Sequence, residues 1–283
     1  MWCWRVLVLS GWLLTGVVQA QPLRILVTVA PLSAFAQAVI GTQGEVDVLV
    51  PPGMEVHDYQ ARPTDIAKIR RADVLIQNGL GLEEFLAGLV DNAAAPHLRV
   101  IDTSRGISSL AGSSNPHIWL DPLRAKQQVF AIRDGLSALN PSLRRTYQAN
   151  AQVYGAQLDQ LDQRYRQVLG SRTRALFMTL DPTFAYLAQR YHLQQVTLFL
   201  TGENSLSPRR LRAILDAVRH ERAGILFTRK GFDRQLLQPL QEDLGVKLCE
   251  LDTLEGKPLE PKGYLRAMYR NLVFLEQGLG SSR

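Results

Sequence analysis

Residues 45–79, EVDVLVPPGMEVHDYQARPTDIAKIRRADVLIQNG, contain a complete strand–loop–helix–strand unit. EVDVLVPP (45–52) is a β-branched run stopped by a proline pair, and PTDIAKIRRA has helical spacing. DVLIQNG (73–79) is a second β-type run closed by Asn-Gly. Two such runs joined through a helix lie parallel in one sheet. The loop before the helix carries His57, and open parallel sheets build their sites in the loops at their carboxyl ends.

The same alternation extends in both directions. RILVTVA (24–30) precedes the helical PLSAFAQAVIG, and EEFLAGLVDNA leads to LRVID (98–102). NPHIWLDP (115–122) follows, holding His117, and then a helix from about Pro122 to Leu139. Beyond Asn140-Pro141 the pattern changes. Leu143, Tyr147, Ala151, Tyr154, Leu158, Leu161, Tyr165 and Leu169 recur every three or four residues, which predicts one long helix over Ser142–Leu169. It would span ~42 Å and, unlike a Gly/Ser linker, would not bend.

The second half repeats the first. RALFMTL (174–180) leads to a helix through Phe184 and Tyr191, and QVTLFL (195–200) to one starting at Ser207-Pro208. GILFT (224–228) leads to LLQPLQEDLG, VKLCEL (246–251) to Asp252, and a last helix covers about Gly263 to Leu279. The expected architecture is α/β: two lobes, each a parallel sheet flanked by helices, joined by one rigid helix with a site in the cleft. The expected boundaries are 21–140 for the N-terminal lobe, 141–170 for the connecting helix and 171–283 for the C-terminal lobe.

Residues 1–20 read as a signal peptide. Arg5 supplies the positive start, Val6 to Val18 is mostly apolar, and Val18-Gln19-Ala20 fits a cleavage site. Gln21, not Cys, stands at the cut, so no lipid anchor is expected on an exported, periplasmic chain. Losing this segment lowers the net charge from +6 to +5, because it takes Arg5 and no acid. The remaining excess is scattered in pairs such as Arg70-Arg71, Arg144-Arg145 and Arg209-Arg210, which argues against a nucleic-acid partner. Cys249 is then the lone cysteine, expected as a small buried apolar residue, and it excludes both an internal disulfide and a cysteine metal motif.

Four residues at strand ends could bind a cation. His57 lies in a polar loop; His117 is held between two proline turns with Ile118 and Trp119 behind it. Asp181 precedes Pro182 and reads equally as a helix cap or a ligand. Asp252 reads equally as a turn cap ahead of Thr253 or a ligand. Asp121, before Pro122, is expected to cap its helix. His97, His192 and His220 fit strand-flanking, helix-end and charged-face positions. Two neutral imidazoles and two carboxylates would balance one divalent ion, and a neutral site is the easier one to bury.

These segments resemble the metal-binding receptors of ABC importers, the zinc/manganese-type solute-binding proteins called cluster 9. His57-Asp58-Tyr59 with Pro63-Thr64-Asp65-Ile66, Ala72-Asp73 and Asn78-Gly79-Leu80-Gly81-Leu82-Glu83 resembles the family's first-ligand region. Asn115 to Pro122 matches the second ligand segment almost word for word. Leu251-Asp252 with Tyr264, Met268, Tyr269, Asn271 and Leu272 resembles the fourth-ligand strand and last helix. The resemblance implies a non-enzymatic, monomeric receptor that binds a metal through His57, His117, Asp181 and Asp252 and delivers it to a membrane permease. Zinc-type members carry a His three residues before a Phe-x-Tyr pair. Here Phe184-Ala185-Tyr186 is present but that position is Asp181, and no histidine occurs between Asp102 and Asn115. Both departures favour manganese or iron over zinc, since oxygen donors suit the harder ions. The rival readings are a metal-dependent hydrolase with an open coordination position, using Asp58 or Glu203 as base, and an adhesin or metal chaperone on the same scaffold.

Overall fold

The structure, a computed structural model, describes residues 22–280 except Glu55, Asp58, 111–113, 173–174 and most of 199–224 and 230–244. The signal segment, the Ser207 helix, most of LLQPLQEDLG, Glu203 and His220 lie outside the described residues.

Two four-stranded parallel sheets carry the fold. In the first, β1 (Leu23–Val27), β2 (Gly44–Val48), β3 (Val74–Gln77) and β4 (Arg99–Asp102) run in the order β2-β1-β3-β4. In the second, β5 (Leu176–Thr179), β6 (Gln194–Thr197), β7 (Ile225–Arg229) and β8 (Lys247–Leu251) run β6-β5-β7-β8. The two orders are the same. Each sheet starts at an inner strand, steps outward on one side, then crosses to the other, so each has a switch point where carboxyl-end loops part.

Helices α1 (Ala30–Ile40), α2 (Pro63–Arg71), α3 (Leu86–Ala93) and α4 (Pro122–Leu139) flank the first sheet; α6 (Ala185–Arg190) and α7 (Pro261–Gly280) accompany the second. α5 (Arg144–Leu169) joins them, ~39 Å long at 1.5 Å per residue. It begins two residues later than the apolar repeat predicts, because Pro141–Leu143 forms a tighter 3-10 turn first. The helix after Asp181 is also shorter than expected. Pro182–Phe184 is a 3-10 turn, α6 ends at Arg190, and His192 follows it with φ +56°, in a left-handed turn rather than at a helix end. Cys249 sits on β8 only half-buried, because its strand lies at a sheet edge.

The apolar stripe of α5 is buried from Tyr147 to Leu169 and forms one continuous core with Val27 and Phe35 of the first lobe and Phe177 and Phe227 of the second. The tyrosines on it find main-chain acceptors on α7: Tyr154 Oη donates to the carbonyl of Pro261 (3.0 Å) and Tyr165 Oη to that of Met268 (2.7 Å). Among the described residues, no helix is long and apolar enough to cross a membrane.

The close approach of α7 to the second sheet gives a test. A Cβ on Gly278 would strike Ile225 Cδ1 and come within 2.8 Å of Phe227 Cζ. Gly278→Ala should therefore lower stability by about 1–3 kcal/mol through overpacking, against a helix-propensity gain of ~1 kcal/mol. Urea unfolding measures the balance; a raised midpoint would mean that α7 does not pack this tightly.

Candidate metal centre

His117 is the best-defined group of the four. It is buried, at the mouth of the 3-10 turn Ile118–Leu120, with its ring 5.1 Å from the Trp119 ring. Asn115 fixes its chemistry. The Asn115 amide nitrogen donates to the carbonyl of Pro182 (2.7 Å), so its oxygen must face the histidine. That oxygen accepts from the His117 main-chain N–H (3.0 Å) and lies 2.8 Å from Nδ1. Nδ1 therefore carries the hydrogen and Nε2 keeps its lone pair outward, the arrangement that orients a metal-binding imidazole. Burial and the nearby His57 hold the His117 pKa down at about 3, so the ring is neutral at physiological pH.

His57 comes from the other side. It is exposed, but its loop is anchored by buried Val56 and Tyr59. Tyr59 Oη donates to Asp65 Oδ2 (2.7 Å), the same oxygen that accepts from the Arg62 N–H at the start of α2. The two imidazole centroids stand 5.5 Å apart at 55°. Two imidazoles on one tetrahedral ion, with metal–nitrogen bonds of about 2.0–2.1 Å, would put their centroids roughly 5 Å apart. The pair is nearly at coordinating distance.

The aspartates are held close by their neighbours. Asn115, two residues before His117, bonds Pro182, next to Asp181. Trp119, two residues after His117, donates its indole N–H to the carbonyl of Thr253 (2.9 Å), next to Asp252. Asn271 of α7 clasps the Asp252 main chain at both N–H and carbonyl, 2.8 Å each. Both carboxylates act as caps. Asp181 Oδ1 accepts from the N–H (3.0 Å) and hydroxyl of Thr183, and Asp252 Oδ1 from the N–H of Leu254 (2.9 Å). Among the described residues, no three His, Cys, Asp or Glu side chains converge enough to hold an ion. The histidines are together; the aspartates border them without closing the shell.

Asp121 is a cap, as its place before Pro122 predicts, accepting from the N–H groups of Leu123 and Arg124. It is also fully buried between the guanidinium groups of Arg124 (2.5 Å) and Arg190, a link between lobes that the sequence pattern does not reveal. Asn78 is another support that spacing missed: its amide donates to the carbonyl of Pro116 (2.9 Å), just before His117. Its Asn-Gly signal marks only a turn.

Two lobes with equivalent sheets, a rigid helix between them and a histidine pair at the strand ends define a solute-binding receptor. The chain belongs to the family described as ZnuA, zinc-uptake complex component A, periplasmic, which matches residues 25–278. This is a family of metal-uptake receptors for ABC import, not of enzymes. The chain is 26% identical over 279 residues to the high-affinity zinc uptake system protein ZnuA of Bacillus subtilis, covering 91% of this chain and 88% of that one. It resembles the Zn(II)-bound ZnuA-like domain of Streptococcus pneumoniae AdcA (29% identity, TM-score 0.78, 91% of this chain and 99% of that domain) while spanning 55% of full-length AdcA. It also resembles FpvC of Pseudomonas aeruginosa solved with Mn2+ (25% identity, TM-score 0.83, 93% and 100% coverage).

The depressed His117 pKa predicts an acid response. Between about 3 in the folded protein and about 6.5 in the unfolded chain, only the unfolded chain binds the proton. This contribution to stability is thus complete above pH ~6.5 and is lost as pH falls toward ~3. Urea unfolding of metal-free protein across that range should show a shallower acid loss in His117→Gln; equal slopes would mean that His117 titrates normally.

Proposed function

We propose that this chain captures one divalent transition-metal ion through His57, His117, Asp181 and Asp252 and hands it to the permease of an ABC importer. The observation that carries the reading is the near-coordinating distance of the two imidazoles, 5.5 Å between centroids, with His117 Nε2 turned outward by Asn115. The bonds from Asn115 to Pro182 and from Trp119 to Thr253 favour the two aspartates as the remaining ligands, since each ties the His117 turn to a residue beside one of them. Movement of the two carboxylates toward the imidazole pair would complete the shell.

The cargo is manganese or zinc, with iron as the third option. Relatives include a zinc-uptake protein and a receptor solved with Mn2+, so relationship alone does not select the metal. Asp181, a hard oxygen donor, favours manganese or iron, whereas an imidazole in its place would favour zinc. The receptor is exported, cleaved near Ala20, and acts as a monomer.

Asp181→Asn tests the ligand set. Asparagine keeps an oxygen for the cap but puts an NH2 donor where a metal needs a lone pair, and it removes a charge. Metal affinity should fall at least tenfold with the metal-free melting temperature almost unchanged. Asp181→His should restore tight binding and shift preference toward zinc. Calorimetric titration with Mn2+ and Zn2+ reads both. Wild-type affinity in Asp181→Asn would reduce Asp181 to a cap.

Metal should also raise the melting temperature by mass action without changing overall shape, because α5 shares its core with both lobes. Small-angle scattering and a thermal melt, each with and without Mn2+, check this together. Marked compaction would contradict the rigid-helix reading.

A further inference from the structure

The stretch Asn78-Gly79-Leu80-Gly81-Leu82-Glu83 closes on itself. Glu83 is buried just ahead of α3, and its carboxylate bridges the carboxyl ends of the two inner strands of the first sheet. Oε1 accepts from the hydroxyl of Thr28, one residue past β1 (2.5 Å), and from the N–H of Asn78, one residue past β3 (2.7 Å). Oε2 accepts from the N–H of Gly79 (3.0 Å). Three donors thus offset the cost of taking this carboxylate out of water. The turn it closes is not a relaxed one. Gly79, Leu80 and Gly81 are successive left-handed residues, with φ of +85°, +56° and +78°. Leu80 is uncommon in that region and stays there only because its surroundings fix it.

What the turn touches points to its use. At its start the Asn78 amide donates to the carbonyl of Pro116 (2.9 Å), and Gln128 of α4 donates to Asn78 Oδ1 (2.9 Å), which fixes the way that amide faces. Leu80 packs against the small cluster of Ile107, Ile118 and Tyr186. Pro116 and Ile118 are the two chain neighbours of His117. Just beyond Glu83, Phe85 meets the Tyr59 ring edge-on, 5.1 Å between centroids and two residues from His57. His57 and His117 stand in the loops that follow the two outer strands, β2 and β4. One segment, 78–85, therefore braces the turns of both imidazoles from between them. Closing a turn would require neither of these outside contacts.

We infer that Glu83 is a positioning residue for metal capture: its carboxylate fixes segment 78–85 and, through it, the separation of His57 and His117. This rests on the receptor reading above and deepens it. Glu83 acts from behind the imidazoles, through Asn78 and Leu80 on one side and Phe85 on the other. Two imidazoles already held near coordinating distance lose little freedom when an ion arrives, whereas two loose ones must be ordered by it. Ligands need to be held to within about 0.5 Å of their working geometry, so a small slip of this brace is felt at the ion. Groups that orient metal ligands in this way are worth about 10–100-fold in affinity.

The test is a double-mutant cycle on Zn2+ affinity, read by competition with a chelator. Glu83→Gln keeps the shape but sets an NH2 group against one of the donors that the carboxylate satisfies. Alone it should lower affinity about tenfold or more. In a His117→Gln or His57→Gln background the same change should cost little, because a single imidazole has no separation to keep. In an Asp252→Asn background it should cost the full factor. The fall in metal-free melting temperature should be the same in every background, which separates positioning from a general loosening of the fold. Thr28→Val, which removes one donor and keeps the size, should repeat the pattern with a smaller loss and serves if Glu83→Gln does not fold. Amide exchange in metal-free wild type needs no variant: the Asn78 and Gly79 N–H groups should be strongly protected. Unchanged affinity in the single variants, an equal loss in the histidine backgrounds, or exchange at Asn78 and Gly79 as fast as in an open loop would overturn the role of Glu83 and leave the receptor reading intact. Failure of wild type to bind either Zn2+ or Mn2+ would overturn the receptor reading itself.

Discussion

The buried face of α5 is the constraint on which the rest of the molecule depends. Its tyrosines and leucines belong to a core that reaches both sheets, beside a smaller cluster around Leu49, Ile69 and Leu75 that the first lobe keeps to itself. Separating the lobes would expose this stripe, and each large apolar side chain returned to water costs roughly 1.5–3 kcal/mol. Oriented hydrogen bonds add to the cost: Tyr154 and Tyr165 donate to carbonyls of α7, and Tyr264 of α7 donates to the carbonyl of Trp119 (2.6 Å) in the first lobe. Opening by a hinge would break the apolar and the directional contacts together. The cleft geometry is therefore set by the core, and movement is left to side chains and short loops at the strand ends.

Over this core lies a polar seam that fixes where the lobes meet. Asp121 is fully buried and clamped by Arg124 from its own lobe and Arg190 from the other, and Arg124 also lies over the Tyr186 ring at 4.5 Å. A buried ion pair of this kind contributes little net stability, because desolvation offsets attraction; its effect is to penalise any other alignment. Tyr186 Oη bonds the carbonyl of Asn115 (2.7 Å), so the seam continues to the residue that orients His117. Lobe registry and imidazole orientation are one network.

Much of this was legible in the chain. β-Branched runs bounded by Gly and Pro located the eight described strands, and a period of 3.6 residues the long helix, to within a few residues, because the inner strands are buried on both faces and the helix on one. NPHIWLDP announced the His117 turn, since prolines and an aspartate cap are local signals. The supports were not legible. Asn78, Asn115 and Arg190 act across 38, 67 and 69 residues of sequence, and no local pattern encodes such partners. His192 was misplaced for the opposite reason: a helical pattern ran past the point where the chain turns left-handed.

The aspartates show why local reading could not choose between cap and ligand. A carboxylate has two oxygens, and a cap uses one. Asp181 spends Oδ1 on Thr183, and among the described residues its Oδ2 accepts no hydrogen bond. Asp252 spends Oδ1 on Leu254, with Oδ2 3.9 Å from the Arg270 guanidinium. Capping fixes the rotamer of the carboxylate and aims its second oxygen, which lowers the entropy that a cation would otherwise have to overcome to recruit it. In such a position a good helix or turn cap is also a preorganised ligand. The sequence signal for one is thus the signal for the other, and what separates them is whether the second oxygen faces a neutral, outward-turned imidazole.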